Sequence, residues 1–253
     1  VVELMRWHNA LPKDKQREYK FKGVLFYGSP GTGKTSLART IAYRSGWNLI
    51  ELIADDFFKI KDMADRLAVL EEMFAKAEKL GKTVIFLDEF ENMVKDRDLT
   101  GGASNPMLMK MLKLTEQGSS KFIIIAATNR KNDIDKAMLR RMRWQVEVPL
   151  PGLRQRYQIL NNYFDTLLRN KGFTTKLDAM KLAQTLHSES GARLESFVER
   201  MRDRARLYGQ TEIDEKIARE ILIDMGILQA GPEEDDVVGK EAVHRDRGDG
   251  NGD

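Results

Sequence analysis

Cysteine is absent from this 253-residue sequence, and long apolar runs are absent as well. Without thiols the chain forms no disulfide, no zinc–thiolate site and no cysteine nucleophile. The longest apolar stretches, such as residues 122–127, are far shorter than the roughly 20 residues of a membrane-spanning helix. No signal peptide and no H-E-x-x-H motif of a zinc protease are recognisable. These absences predict a cytoplasmic protein without a membrane span.

A strong excess of one charge is also missing. The 42 basic and 39 acidic side chains give a formal net charge of +3. The last 25 residues hold eight acidic and three basic side chains, so the positive excess belongs to the rest of the chain. This modest excess suits a protein that handles phosphate and does not by itself require a nucleic-acid partner.

The chain divides into four predicted segments. Residues 1–22 are polar and predict a linker, and because the first residue is Val1 we expect a preceding segment to be missing. Residues 23–150 alternate apolar runs with amphipathic stretches, which predicts an α/β domain with a five-stranded parallel sheet between helices. Residues 151–228 have helical periodicity only and predict a small all-α domain. Residues 229–253 predict an acidic, glycine-rich disordered tail.

Within these segments the apolar pattern places the individual elements. Strands are predicted at residues 24–27, 48–53, 83–88, 122–127 and 145–148, and helices of the α/β domain at 34–45, 64–80 and 106–117. The helices of the second domain are predicted at 153–169, 177–187, 192–208 and 213–225.

A complete G-x-x-x-x-G-K-[ST] motif follows the first predicted strand and opens a helix. This context distinguishes a phosphate-binding loop from a chance glycine-rich turn, because backbone N–H groups and the helix N-terminus then point at phosphate oxygens. Lys34 is expected to reach the β- and γ-phosphates of ATP, and the Thr35 hydroxyl to ligate Mg²⁺. The predicted nucleotide-binding residues of this loop are Gly28, Ser29, Pro30, Gly31, Thr32, Gly33, Lys34, Thr35 and Ser36.

Polar side chains follow two further predicted strands. Asp88 and Glu89 end one apolar run, where an open parallel sheet places its ligand site. Asp88 is expected to bind nucleotide-associated Mg²⁺, and Glu89 to polarise the attacking water as a general base. Asn129 ends another run and is suited to contact both the γ-phosphate and that water. Solvated strand-end acids and a turn-forming Asn are the structural alternatives.

The phosphate loop, the acid pair and Asn129, in this order, resemble the AAA+ ATPases, specifically the AAA family in the narrower sense. The resemblance covers roughly residues 20–228 and is fullest over residues 133–144, which are similar to that family's second region of homology. It implies that Asn129 is the sensor-1 residue and that Arg140 and Arg143 are arginine fingers. The family usually has Pro-Gly between these arginines, so a role for Arg141 stays open.

The same resemblance implies a homo-hexameric ring that uses ATP and Mg²⁺, with the finger supplied by a neighbouring subunit. A basic helix end favoured by the helix dipole is the alternative for Arg140 and Arg143. The helical domain resembles the AAA+ lid, and Arg193 falls at its sensor-2 position, which implies a contact with the nucleotide in cis. A solvated arginine at a helix start is the alternative for Arg193.

Most AAA+ relatives grip a protein with an aromatic–hydrophobic–Gly pore loop after the second strand. Residues 55–62 lack that glycine, and Phe58 and Ile60 are the candidate grips. The alternative is that Phe57 and Phe58 pack beneath the following helix. Residues 94–105 are predicted to form the second pore loop.

Two functions from different classes remain. The first is ATP-driven remodelling, unfolding or disassembly of a protein substrate or complex. The alternative is a nucleic-acid-associated AAA+ switch, because arginines crowd one lid helix; interleaved acids on that helix favour a solvated face instead. An inactive nucleotide-binding scaffold is disfavoured because Lys34, Asp88, Glu89, Asn129 and Arg140 are all present.

Overall fold

The N-terminal residues form two short helices in the computed structural model, which describes residues 1–95, 105–116 and 118–229. Helix α1 spans Val2–Ala10 and α2 spans Lys13–Glu18. Met5 is fully buried in α1, and His8, equally enclosed, contacts the Trp47 ring edge-on. These side chains lie three residues apart and share one helix face, which packs onto the α/β domain. This corrects the linker expected over residues 1–22.

We expect Met5→Ala to lower the free energy of unfolding by about 2–4 kcal/mol, because it leaves a cavity in a fully enclosed site. Denaturant unfolding followed by circular dichroism measures this change. Glu3→Ala, on the exposed side of the same helix, is the matched control and should change stability by less than about 0.5 kcal/mol. Equal stability of Met5→Ala and the unmodified protein would mean that α1 does not contribute to the folded domain.

Five parallel strands form the centre of the α/β domain, as the sequence predicts. The strands span Gly23–Tyr27 (β1), Asn48–Leu52 (β2), Thr83–Leu87 (β3), Phe122–Thr128 (β4) and Met142–Glu147 (β5). Their spatial order is β2-β3-β4-β1-β5. Every residue of β3 and β4 is buried, because helices cover both faces of these inner strands.

Helices pack on both faces of this sheet and enclose two separate apolar clusters. The helices span Lys34–Ser45 (α3), Ala54–Lys59 (α4), Met63–Leu80 (α5), Pro106–Thr115 (α6) and Lys136–Arg141 (α7). Two of them, α4 and α7, have six residues each and were not predicted, because one and a half turns are too short to show a helical period.

The C-terminal helices enclose a core of their own. The long helix expected over residues 153–169 ends earlier, and a π-helical turn at Phe164–Leu168 follows it. Two two-residue strands, Thr174–Thr175 (β6) and Glu212–Ile213 (β7), pair in parallel, which corrects the all-helical expectation. The helices span Leu153–Tyr163 (α8), Ala179–Thr185 (α9), Gly191–Leu207 (α10) and Glu215–Asp224 (α11).

Two predictions concern residues that the structure does not describe or only partly describes. The tail predicted from residue 229 onward lies outside the described residues, apart from Gln229 itself. Most of the second pore loop expected over residues 94–105 also lies outside them. Among the helices of the described ranges, none is long and apolar enough to span a bilayer.

Candidate active site

The glycine-rich loop joins β1 to α3 and surrounds the ammonium group of Lys34. Lys34 Nζ donates to the carbonyl oxygens of Gly28 at 3.0 Å and Ser29 at 2.8 Å. It also donates to Asn129 Oδ1 at 2.7 Å, although 95 positions separate the two residues. The contact forms because β1 and β4 are neighbours in the sheet, so that the loop and the polar end of β4 leave the same edge.

Lys34 carries its charge in an enclosed place, with only 7% of its surface exposed. Burial lowers the pKa of this ammonium, and the negative charges of Asp88 and Glu91 oppose that change. Glu91 is itself buried, and its Oε2 has no hydrogen-bond partner among the described residues. The two carboxylates therefore help to keep Lys34 protonated, the form that binds phosphate oxygens.

Thr35 and Asp88 provide the oxygen atoms suited to a magnesium ion. The Thr35 hydroxyl donates to Asp88 Oδ2 across 2.9 Å, which joins the start of α3 to the end of β3. Two neighbouring ligands of an octahedral Mg²⁺, at about 2.1 Å from the metal, lie about 3 Å apart. A hydroxyl and one carboxylate also match the preference of Mg²⁺ for few protein ligands beside phosphate and water. The residues present therefore fit this ion.

Glu89 has an exposed carboxylate beside this pair. Its φ of 46° is in the left-handed region, which is uncommon for a residue with a side chain and is often found at functional sites. Its backbone N–H donates to Asp88 Oδ1 at 2.9 Å. Asn92 Nδ2 donates to Glu89 Oε2 at 3.1 Å and so orients the carboxylate. Glu89 can accept a proton from a water molecule in the cleft that it lines.

The phosphate loop and the C-terminal helices enclose a cleft of about 490 Å³. The start of α10 contacts the loop directly, since Ala192 N donates to Gly31 O at 3.1 Å. Only glycine fits at position 31: its φ is +72°, and a Cβ there would lie 2.8 Å from the Cβ of Ala192. The cleft is lined by Pro30, Gly31, Thr32, Gly33, Lys34, Thr35, Ser36, Asp88, Glu89, Asn129, Ile159, Tyr163, Gly191, Ala192 and Glu195.

The helical side of this cleft was largely missed by sequence reasoning. Ile159 and Tyr163 are four residues apart on α8, and Ala192 and Glu195 are three apart on α10, so each pair lies on one helix face. Helical periodicity could have grouped these residues. It gives no indication of which face turns toward the phosphate loop.

Arg193 does not line the cleft, in contrast to its predicted contact with nucleotide. Its Nε donates to Glu189 Oε2 at 3.0 Å, and Nη2 donates to the carbonyl oxygen of Met225 at 3.3 Å. The reason is its place on α10: Gly191, Ala192 and Glu195 occupy the face toward the loop, and position 193 points about 150° away from the middle of that face.

Three arginines at the end of α7 and the start of β5 lie away from the cleft beside the phosphate loop. Arg140 is exposed and makes no hydrogen bond or ion pair with a described residue. Arg143 is the extra residue of a β-bulge opposite Gly23 and Val24, which directs its side chain outward over the Trp144 ring. Arg141 is half-buried and donates to the carbonyl oxygen of Ala137 at 3.2 Å, so it is already engaged locally.

Comparison with known proteins supplies the family. The model of the AAA family, the ATPase family associated with various cellular activities, matches residues 24–151, just over half of the chain. The chain belongs to the AAA family of ATPases. The matched range contains the five strands of the sheet, apart from the first residue of β1, together with the phosphate loop and the acids at the end of β3.

Several curated AAA proteins are similar to this ATPase over about 70% of its length. The ATP-dependent zinc metalloprotease FtsH 1 of Alkaliphilus metalliredigens is 37% identical over 70% of this chain and 30% of its own. The proteasome-activating nucleotidase of Methanosarcina mazei is 34% identical over 69% of this chain and 42% of its own length. The mitochondrial sorting homolog of Caenorhabditis elegans is 33% identical over 68% of this chain and 50% of its own length. The chain thus aligns with half or less of each of these relatives.

The candidate pore-loop side chains of this AAA ATPase pack against its own core. Phe57 is buried, and Phe58 and Ile60 are half-buried against the same apolar cluster. Arg66 holds the segment in place by donating to the carbonyl oxygens of Phe58 at 3.0 Å and Ile60 at 2.6 Å. These contacts correct the expectation that Phe58 and Ile60 project as grips, and they favour the packing alternative.

The arginines on α10 are largely neutralised by acids. Arg204 bonds to Glu220 at 2.8 Å and to Asp224 at 2.6 Å, which ties α10 to α11. Arg202 and Arg206 both pair with Asp203. A nucleic-acid surface would instead present free cations to phosphates. This helix is therefore a solvated face with charge pairs, and it gives little support to nucleic-acid binding.

Proposed function

We propose that this AAA ATPase is the magnesium-dependent motor of a homo-hexameric ring that remodels, unfolds or disassembles protein substrates or complexes. The observation that carries the proposal is the meeting of Lys34, Thr35, Asp88, Glu89 and Asn129 at one edge of the sheet. Each of these groups has a distinct part in phosphoryl transfer to water.

Within that site the residues take separate roles. The loop N–H groups and Lys34 bind the phosphates, and Thr35 and Asp88 would hold Mg²⁺, which neutralises phosphate charge when bound. Glu89 would accept the proton of the attacking water. Asn129, which contacts Lys34, would donate its amide hydrogen to a γ-phosphate oxygen. The cleft between the loop and α8 encloses the nucleotide from the helical side.

The exposure of Arg140 and Arg143 supports a ring. Transition-state charge on the γ-phosphate calls for an added guanidinium, and neither arginine lines the cleft of its own subunit. A neighbouring subunit would therefore supply the group, with Arg140 as the first candidate because no described residue holds it. Arg141 is a weaker candidate because its side chain is tied to Ala137.

The names of relatives support a protein substrate. They include a metalloprotease, a proteasome-activating nucleotidase and, at 32% identity, the outer mitochondrial transmembrane helix translocase of Xenopus tropicalis. We propose that substrate contact in this chain uses residues other than Phe57, which is buried, and Phe58 and Ile60, which pack against the core.

ATPase rate per subunit across a wide range of protein concentration tests the proposal, with mass measured by light scattering on the same samples. We expect specific activity to rise as hexamers form, because each site needs its neighbour. Lys34→Ala is the control and should bind no ATP in calorimetry, since it removes the buried ammonium. Flat activity from a monomer would contradict the ring, and unchanged ATP affinity of Lys34→Ala would contradict the site.

A further inference from the structure

Glu195 brings a carboxylate into the phosphate cleft from the helical side. It is half-buried on α10, three residues after Ala192, whose backbone N–H donates to the phosphate loop at Gly31 O. Its Oε2 accepts a hydrogen bond of 3.4 Å from the Tyr163 hydroxyl. Its Oε1 has no donor in the part of the chain that the structure describes. This oxygen keeps solvent-accessible surface in the cleft, so it can accept a hydrogen bond from a bound molecule.

A second cleft of about 460 Å³ continues from the first and suits an adenine base. Its walls are mostly apolar or uncharged and include Val148, Pro149 and Pro151. Glu195 does not line this second cleft. The residues common to both clefts are Thr32, Ile159, Tyr163 and Gly191.

The order of groups in a nucleotide then places its ribose next to Glu195. The phosphates of a bound nucleotide would lie at the glycine-rich loop, and the base would lie in the second cleft. The ribose joins them and must pass the shared residues, among which Tyr163 is bonded to Glu195. Burial and the nearby Glu195 charge raise the pKa of Tyr163, so its hydroxyl stays protonated and donates to Oε2. Oε1 is left for a second donor.

We propose that Glu195 accepts a hydrogen bond from a ribose hydroxyl of the bound nucleotide and so makes the site selective for nucleotides that carry this hydroxyl, an inference that rests on the ATPase function proposed above. Carboxylates bind ribose hydroxyls in the same way in dinucleotide-binding folds. Hydrogen bonds to a charged acceptor are stronger than neutral ones, so the carboxylate gives real discrimination. Tyr163 acts as a positioning residue for Glu195.

The test compares the affinities of ADP, 2′-deoxy-ADP and 3′-deoxy-ADP by calorimetry, which avoids turnover during the measurement. The unmodified protein should bind one deoxy analogue about tenfold more weakly than ADP, the loss expected for one hydrogen bond to a charged group. In Glu195→Ala the ADP and deoxy-ADP affinities should become equal. Glu199→Ala, one turn further along α10 and outside the cleft, is the matched control and should retain the tenfold ratio.

Other outcomes overturn the inference. They are equal binding of all three nucleotides by the unmodified protein, or a tenfold ratio that persists in Glu195→Ala. Inosine diphosphate lacks the 6-amino group of adenine. If it binds more weakly than ADP to the unmodified protein but equally to Glu195→Ala, the carboxylate contacts the base and not the ribose. If Glu195→Ala does not fold, Glu195→Gln replaces it in the test. If the variant binds ADP and both deoxy analogues more tightly by the same factor, Glu195 only repels the phosphate charge. Absence of ADP binding by the unmodified protein would overturn the ATPase proposal too.

Discussion

Replacement of Glu89 by glutamine is expected to leave ATP binding intact and to slow hydrolysis by about 10²–10⁴-fold. The amide keeps the size and the hydrogen bond from Asn92, but it cannot accept a proton from the attacking water. The hydrogen bonds of Lys34 to the phosphate loop and the oxygen pair of Thr35 and Asp88 do not involve this side chain. Single-turnover hydrolysis and calorimetry with ATP, on the same preparation, separate chemistry from binding.

Glu72→Gln is the matched control for this measurement, because Glu72 is an exposed glutamate of α5 outside the cleft. It should hydrolyse ATP at the rate of the unmodified protein. Near-normal turnover by Glu89→Gln would remove Glu89 from the chemistry and direct attention to another acceptor. A joint loss of binding and turnover would show that Glu89 acts on the phosphate loop instead of on water.

Arg140→Ala should bind ATP normally and hydrolyse it at least tenfold more slowly, because a guanidinium at the γ-phosphate contributes about 10³–10⁵ in rate when it acts as a finger. Its exposed side chain has no bond to a described residue, so its removal should leave stability unchanged within about 0.5 kcal/mol. Arg143→Ala shows whether the outward arginine at the β-bulge shares the role. Lys136→Ala, an exposed cation at the start of α7, is the control and should retain full activity.

Mixing Arg140→Ala with Lys34→Ala subunits tests whether the finger acts between subunits. The first variant has an intact nucleotide site and no finger, and the second has a finger and no nucleotide site. Rings that contain both place an intact site beside an intact finger, so activity should rise above the sum of the separate samples. A mixture no more active than its parts, despite mixed rings detected by mass, would contradict a finger supplied in trans.

Much of the fold follows from local sequence patterns. The β1 and β3 runs, the phosphate loop and the 12-residue helix α3 were predicted within a residue, because their apolar runs, glycines and helix starts act over short distances. The polar residues that end β3 and β4 were recognised for the same reason, and the parallel sheet followed from the alternation of strands and helices.

The direction of side chains was not predictable in this way. Phe58 occupies a position suited to a pore loop, yet Arg66 and the core under α5 hold it inward. Arg193 occupies a position typical of a nucleotide contact, yet Glu189 and the end of α11 hold it away from the cleft. In both cases the choice depends on partners distant in sequence or on the rotation of a helix about its axis.

The sequence by itself determined that this chain has a nucleotide-binding loop, a pair of acids after a buried strand and the AAA order of motifs, since each is encoded within a few neighbouring residues. Only the tertiary structure decided that Asn129 contacts Lys34, that Tyr163 and Glu195 enclose the cleft, and that α1 belongs to the folded domain. These features arise where separate elements pack together, and packing between distant segments is not encoded in any local pattern.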